Sequence, residues 1–222
     1  MVRAILEGRK TQTRRIIKPQ PIRVYDNVPY QPHFFDVEGE TNIIRTDKTP
    51  DGKQVIRPIK CPFGQPGDRL WVRETVQVFG RLTKNGFTDS GKQKWEFLAS
   101  PDRLVKYAGD FVQSPKNKTD WGYYTRPAIH APRWTSRITL EITDVRVERL
   151  RDISETGAVA EGVEVVGENI HKQPVYKDYV TYGMAWSSAV RSFQSLWQKI
   201  NGDGAWEQNP FVWAITFKRI NP

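Results

Sequence analysis

Residues 9–15 read RKTQTRR and combine four cationic side chains with two threonine hydroxyls. The cations are Arg9, Lys10, Arg14 and Arg15. Residues 1–20 hold six Lys and Arg side chains against one Glu, a net charge of +5 within a chain whose total is +9. Lysine and arginine attract phosphates by long-range electrostatics and by counterion release. This concentration of charge predicts a phosphate-facing surface, although a solvated basic edge is the plainer interpretation of the same pattern.

The same stretch contains groups that can support nucleophilic chemistry. A threonine hydroxyl is a poor nucleophile until a base removes its proton, and a lysine amine can be that base if its pKa falls. Burial and neighbouring cations both lower the pKa of a lysine, and three arginines lie close to Lys10 in sequence. Side chains two residues apart share one face of a strand, so Thr13 and Arg15 are expected to face the same cavity.

The segments around this stretch predict a helix that leads into a strand. Val2, Ile5 and Leu6 form the inner face of a short helix ending at Gly8, and residues 11–17 then favour extended chain. Further strands are expected at 70–78, 137–143, 145–150 and 211–217, the last with Phe211, Trp213, Ile215 and Phe217 on one side. Helices are expected from Asp152, as the N-cap, to about Gly162 and over 187–200.

Two polar segments, 18–66 and 80–132, interrupt these elements. The first is rich in Pro, Asn, Asp and Gly with little periodicity, and the second has aromatic residues spread through it. We expect both to be long surface insertions, the second partly ordered by its aromatic side chains. Strands broken by short helices favour an α+β fold, a small mixed barrel with helices at its openings.

Composition narrows the class of protein. Hydrophobic residues make up 38% of the chain, which predicts a folded globular protein. The excess of Lys and Arg makes it basic, with a pI near 9.6. A single cysteine, Cys61, excludes an internal disulfide, and neither a secretory signal nor a membrane-spanning run is visible, so a cytoplasmic location is expected. Cys61, His33, His130 and His171 lack ligand-like spacing, so neither a metal site nor a cofactor is predicted.

Three segments together resemble the ASCH family, which is named for activating signal cointegrator homology and grouped with PUA-like folds. Residues 5–15, ILEGRKTQTRR, resemble the family's G-x-K-T-x-T-x-R signature at a helix end. Residues 67–74, GDRLWVRE, are similar to its G-D-x-L strand, and residues 142–163 resemble its paired strands and the helix that closes on Glu-Gly. The family pattern usually includes a strand before the first helix, whereas here the helix begins almost at Met1.

The resemblance implies one PUA-like domain over residues 1–222 that binds RNA or a modified nucleoside, with single-stranded DNA as a further possible partner. Some minimal ASCH proteins are amidohydrolases that deacetylate N4-acetylcytidine. Carried over to this chain, the resemblance assigns a base to Lys10, a nucleophile to Thr13 and a proton donor to Glu161. A ribonuclease using the same lysine and glutamate is a further hypothesis.

Prophage-associated ASCH proteins carry extra segments that residues 129–134, IHAPRW, resemble. His130, Arg133 and Trp134 can stack on bases and grip phosphates, although a tryptophan beside a strand is more often part of the core. Arg73 is a further candidate contact, or else it pairs with Glu74. These residues keep open a non-catalytic phage adaptor that reads modified nucleic acid through its two insertions.

Overall fold

The computed structural model describes residues 2–18, 20, 35–37, 40–48 and 54–220, with only the backbone described at 35–37, 40–48 and 54–59. Within these residues the chain is mostly β-sheet with three α-helices. The described residues divide into two compact units, the first lying within Met1–Leu70 and Leu140–Ile220 and the second comprising Trp71–Thr139.

The first unit is organised on a four-stranded sheet that curls into a half-barrel. Its strand order is β1-β14-β10-β5, where the strands are β1 (Gln12–Ile16), β5 (Arg69–Trp71), β10 (Thr139–Arg149) and β14 (Phe211–Ile220). The helices are α1 (Val2–Leu6), α2 (Glu155–Ala160) and α3 (Ala189–Asn201). Strand β1 pairs antiparallel with β14 and forms one edge of the sheet, which leaves its other side available to build a site.

Two small antiparallel sheets also belong to the first unit. One contains β2 (Phe35–Val37), β3 (Glu40–Lys48) and β4 (Gln54–Ile59), and the other contains β11 (Val165–Glu168), β12 (Pro174–Lys177) and β13 (Ala185–Trp186). The segment 18–66, expected to be a long surface insertion with little periodicity, therefore contains regular structure, because β3 and β4 form a hairpin ladder, while its described residues 60–66 contain no strand. The rest of that prediction, including His33, lies outside the described residues.

Strand β14 lies at the centre of the core because both of its faces are covered. Phe211, Trp213 and Ile215 share one buried cluster, as their alternation predicts, while Val212 packs on the opposite side with the helices. Helix α3 supplies Phe193 to that second cluster, together with Trp197. Truncating such aromatic side chains to alanine typically costs about 3–5 kcal/mol, so α3 is firmly fixed against the sheet.

Helix α3 confirms the helix predicted at 187–200 and shows why it begins and ends where it does. The Ser188 Oγ accepts a hydrogen bond from the Arg191 amide at 3.2 Å, which caps the first turn. Gly202 ends the helix with a φ of +96°, a conformation that favours glycine.

Three predicted boundaries are wrong. The strands expected at 137–143 and 145–150 form one continuous strand, β10, because no turn interrupts the ladder at Asp144. Helix α2 is capped by Ser154, whose Oγ accepts from the Gly157 amide at 3.0 Å, and not by Asp152, which lies in a preceding 3-10 turn. The strand expected at 70–78 is broken, since β5 ends at Trp71 and the next strand begins at Val76.

The second unit is an antiparallel sheet built on one long strand, β6 (Val76–Phe87). It pairs with β7 (Gln93–Ala99), β8 (Val105–Lys106) and β9 (Gly122–Arg126). The segment 80–132, which was expected to be a loop-like insertion, therefore contains most of this sheet. The sheet has its own core of Val76, Val78 and Ala131. That the whole chain forms one ASCH-type domain stays a prediction.

Candidate functional site

The connection between α1 and β1 positions Lys10. Gly8 adopts a φ of +74°, which ends the helix, and the Lys10 amide then donates to the Ala4 carbonyl at 3.0 Å. The next amide, that of Thr11, donates to the carbonyl of Ala160 at 2.9 Å. The connection is thereby fastened to the carboxyl end of α2, where Glu161 follows.

The Lys10 amine is buried and fully hydrogen-bonded, with its side chain only 4% exposed. Its Nζ donates to the Glu161 Oε2, the Glu161 carbonyl and the Gln12 carbonyl, each at 2.8 Å. An ammonium has three N–H donors, so these contacts use all of them. Burial lowers the pKa of Lys10, opposed by the attraction of the Glu161 carboxylate.

Glu161 joins Lys10 to a second buried cation, Arg14. The Arg14 Nη1 donates to the other Glu161 oxygen at 3.1 Å, and its Nε donates to Glu148 at 2.7 Å. The guanidinium also lies 5.9 Å from the ring centre of Phe193. Lys10, Arg14 and Glu161 are the buried members of this cluster, and Glu148 connects it to the exposed Arg146 at 3.6 Å, so loss of Glu161 leaves two buried cations without that partner.

Two glycines allow the backbone to approach these cations. Gly162 has a φ of +84°, and a Cβ placed on it would lie 2.8 Å from the Lys10 Cβ. A Cβ placed on Gly157 would lie 3.0 Å from the Arg14 Nη2. The Glu-Gly pair at 161–162 thus combines the acceptor for Lys10 with the only residue type that fits beside it without strain.

A cavity of about 380 Å³ opens on this cluster. It lies between β1 and the second half of α3, and its lining includes Lys10, Thr13, Arg14, Arg15, Lys18, Phe63, Glu161, Phe193, Leu196 and Trp197. Two polar atoms of the lining residues are buried without a hydrogen-bond partner in the described part of the chain: the Thr13 Oγ1 and the Trp197 Nε1. Buried polar groups are normally paired, and both atoms are covered by neighbouring protein atoms, so a ligand in the cavity would reach them only through a local side-chain movement.

The structure brings together five of the sequence-predicted residues. Lys10, Thr13, Arg14, Arg15 and Glu161 all line the cavity, although 151 residues separate Lys10 from Glu161 in sequence. Thr13 and Arg15 both belong to the lining, but so do their neighbours Arg14 and Ile16, so the lining does not test the prediction that Thr13 and Arg15 share one face of the strand. The catalytic roles of Lys10, Thr13 and Glu161 stay predictions.

Arg9 is engaged elsewhere. Its guanidinium pairs with Glu7 at 2.7 Å and donates to the Gly162 carbonyl at 3.3 Å. It therefore helps to hold the end of α2 at the surface and is not among the residues that line the cavity.

The remaining predicted residues belong to the second unit. Arg73 lies over the Trp71 ring at 4.6 Å and donates to the Ile129 carbonyl, while its neighbour Glu74 pairs with Arg137. The interpretation in which Arg73 pairs with Glu74 has no support from these contacts. Trp134 is half-buried against the core of that unit, in line with the plainer interpretation given for it.

His130 and Arg133 are both exposed, each within a short 3-10 turn. They remain available to a partner, and the adaptor hypothesis stays a prediction.

Two functional candidates, Glu148 and Trp197, are not predicted by the sequence. Glu148 follows a strand pattern that gives no sign of a buried partner, and Trp197 fits its helix as an ordinary core residue. Only the unpaired indole N–H of Trp197 at a cavity distinguishes it, and that is visible only in three dimensions.

No group of three His, Cys, Asp or Glu side chains within the described ranges is arranged to hold a metal ion. Across the same ranges, none of the helices has the length and apolar character needed to span a bilayer. No family model matches the chain, and no curated protein or solved structure is significantly similar to it. The fold and site therefore define a β-rich protein with a half-barrel sheet and a buried Lys-Glu-Arg cluster beside a cavity.

Proposed function

We propose that this chain is an ASCH-type protein that binds one nucleoside, free or within RNA, in the cavity beside β1. The observation that carries the proposal is a cavity of about 380 Å³ whose lining joins aromatic side chains to exposed cations, with two unpaired buried polar atoms, Thr13 Oγ1 and Trp197 Nε1, on residues of that lining. Small-molecule sites combine an apolar wall with a few polar groups that fix orientation, and this cavity has both.

The dimensions and composition of the cavity suit a nucleoside. Its volume of about 380 Å³ falls in the range of ligand pockets. Phe63 and Trp197 provide aromatic surface for a base, and a hydroxyl and an indole N–H can bond to its polar edge.

The rim of the cavity suits a phosphate. Arg15 and Lys18 are both exposed and both belong to the lining, whereas Lys10 and Arg14 are committed to carboxylates. The rim cations can therefore contact the phosphates on either side of a bound nucleoside. Binding of a nucleotide should accordingly weaken as salt rises, and binding of the uncharged nucleoside should not.

Equilibrium titration tests this proposal, with cytidine, N4-acetylcytidine and their 5′-monophosphates as ligands. We expect Thr13→Val to weaken binding by about tenfold, the value of one hydrogen bond to a buried group. Thr11→Val is the matched control, because Thr11 lies two residues away, is exposed and is not part of the lining. The proposal is wrong if none of the four ligands binds, or if both variants bind as the unmodified protein does.

Hydrolysis of N4-acetylcytidine is the second candidate, favoured by the convergence of Lys10, Thr13 and Glu161 on one cavity. In this reaction the Thr13 oxygen attacks the acetyl carbonyl, the bond to N4 breaks, and the threonine proton passes to Lys10. Glu161 gives a proton to the leaving amine, and water then hydrolyses the acetyl-threonine ester.

The closed hydrogen bonding of Lys10 sets a condition on that chemistry. An ammonium with three bound acceptors has no lone pair, so Lys10 must first pass a proton to Glu161 along their 2.8 Å contact. That transfer would make an amine base and a carboxylic acid in one step, and burial favours the neutral pair. Binding requires no such rearrangement, which is why binding is the leading proposal.

Incubation with N4-acetylcytidine, followed by mass spectrometry for cytidine and acetate, separates the two candidates. An enzyme should release both products, and Thr13→Val should release neither while Thr11→Val retains the rate. Binding without product would leave the nucleoside site in place and reject the hydrolase. Product that persists in Thr13→Val would reject the assigned nucleophile.

A further inference from the structure

The sheet of the second unit displays aromatic and cationic side chains on one face. Register and alternation put Phe79 and Arg81 of β6 on the same side as Tyr123 of β9 and Leu98 of β7. Trp121, one step before β9, follows the same alternation and lies beside Arg81. We call this set, Phe79, Arg81, Leu98, Trp121 and Tyr123, the aromatic face.

The aromatic rings of this face are in mutual contact. Phe79 stacks on Trp121 at a centroid distance of 6.0 Å with 21° between the planes, and its other neighbour, Tyr123, lies 5.2 Å away at 64°. Trp121 remains 44% exposed and Leu98 47% exposed, so the face presents apolar surface to solvent. Contiguous exposed aromatic surface on a protein is a mark of an interaction site.

Two cations flank the rings. The Arg81 guanidinium lies 5.1 Å from the Trp121 ring centre, and the Lys106 Nζ lies 5.1 Å from that of Tyr123. Neither cation forms a salt bridge with an acid of the described chain, so the charge of both is available to an anion. Cations placed beside exposed rings match a ligand that carries both flat bases and phosphates.

The charge of the second unit points the same way. Residues 71–139 hold 12 Lys and Arg side chains against 6 Asp and Glu, a net charge of +6 out of the chain's +9. The positive charge of this unit therefore favours a polyanion as the ligand of the aromatic face over a peptide with few acidic residues or an uncharged partner. Stacked rings further select unpaired bases over a duplex, because the bases of a duplex are already stacked on each other.

We infer that the aromatic face binds single-stranded RNA by base stacking, with Arg81 and Lys106 contacting the phosphate backbone. This site goes beyond the proposed nucleoside cavity and does not require that the cavity bind anything. It gives the second unit a function of its own, as a platform that holds a strand without reading its sequence in detail.

Fluorescence anisotropy with a labelled oligouridylate of about 12 nucleotides tests the inference, since stacking platforms cover about 4–16 nucleotides. We expect Trp121→Ala to weaken binding by about tenfold or more, the value of one stacked base, and Trp121→Phe to recover part of the loss. The matched control is Trp95→Ala. Trp95 lies on the opposite face of the same sheet, where Lys118 is 5.3 Å from its ring centre.

Salt dependence provides a second measurement that does not rely on an aromatic variant folding well. Each single-strand phosphate contact contributes about 0.7 to the slope of log affinity against log salt, so Lys106→Gln should reduce that slope by about this amount. Titration of cytidine into the same variants should show the cavity unaffected. That control separates failure of this site from failure of the proposed function.

Three results would overturn the inference. The first is the absence of oligouridylate binding at about 50 mM salt, where electrostatic binding is strong. The second is equal loss of affinity in Trp121→Ala and Trp95→Ala. The third is an affinity for an RNA duplex or for heparin that equals the affinity for oligouridylate, with all of these affinities unchanged in Trp121→Ala. That result would indicate a charged surface with no stacking.

Discussion

Replacing Glu161 by Gln tests whether the buried charge cluster holds the site together. Glu161 accepts from Lys10 at 2.8 Å and from Arg14 at 3.1 Å, and the two cationic side chains are 4% and 2% exposed. A neutral amide removes the negative charge opposite both cations and turns one donor group towards them. Removing one partner of a buried ion pair costs about 3–5 kcal/mol, because the remaining charge stays desolvated.

The chain also contains a surface counterpart of this arrangement. Glu7 accepts from Arg3 at 2.7 Å and from Arg9 at 2.7 Å, and all three residues are exposed. Exposed ion pairs contribute little because water screens them. Glu7→Gln is therefore the matched control: one carboxylate between two cations is lost in both variants, and only the burial differs.

Thermal unfolding monitored by circular dichroism measures both variants. At roughly 2–4 °C per kcal/mol for a domain of this size, we expect Glu161→Gln to lower the melting temperature by about 6 °C or more. Glu7→Gln should leave it nearly unchanged. The double variant Lys10→Met/Glu161→Gln should lose less stability than the sum of the losses in the two single variants. Lys10→Met removes the buried cation that Glu161→Gln leaves without a partner. Equal small effects of Glu161→Gln and Glu7→Gln would refute the buried cluster.

Three further outcomes are expected. Gly162→Ala should destabilise more than Gly8→Ala in thermal unfolding, since both have positive φ but only Gly162 would place its Cβ 2.8 Å from Lys10. Thr13→Val should leave the free protein as stable or slightly more stable, because it removes an unpaired buried hydroxyl. The pKa of Lys10 is lowered in the folded protein, so between that pKa and 10.5 the unfolded chain binds more protons than the folded one. The free energy of unfolding should therefore increase as pH rises through this range, and this gain should be absent below the folded pKa. Urea unfolding of Lys10→Met between neutral and alkaline pH should lack this rise.

Part of this structure can be predicted from the sequence, because in some segments the apolar residues repeat with the period of a helix or of a strand. Helix α3 repeats its buried side chains at three and four residues and carries a serine cap and a terminal glycine. Strand β14 alternates Phe211, Trp213 and Ile215 on one face. In both, local propensity and tertiary burial favour the same structure, and the predictions are close to the observed elements.

The second sheet was missed although its strands carry a signal. Strand β7 reads QKWEFLA, where half-buried Trp95 and Phe97 alternate with exposed charges, a period of two. None of its side chains is fully buried, and the polar residues before it and the Pro and Asp after it at 101–102 make the region resemble a polar loop when composition alone is considered. The long strand β6 that it pairs with defines the sheet, and that pairing is a tertiary fact.

The candidate site, too, is only partly predictable from the sequence. The cations of residues 9–15 are evident from sequence, but which of them are buried is not. Alternation along β1 buries Gln12 and Arg14 and leaves Arg15 exposed, and the contact between Lys10 and Glu161 spans 151 residues. The sequence suggested that contact only through a family resemblance. That the Thr13 hydroxyl is buried without a hydrogen-bond partner is a property of the packed structure, and no local sequence pattern predicts it.

A methyl NMR titration tests the nucleoside cavity most directly. With threonine methyl groups labelled, addition of cytidine 5′-monophosphate should shift the Thr13 signal progressively to saturation and leave the signal of exposed Thr11 in place. A ligand that binds by calorimetry while the Thr13 signal stays fixed would contradict the cavity as the binding site.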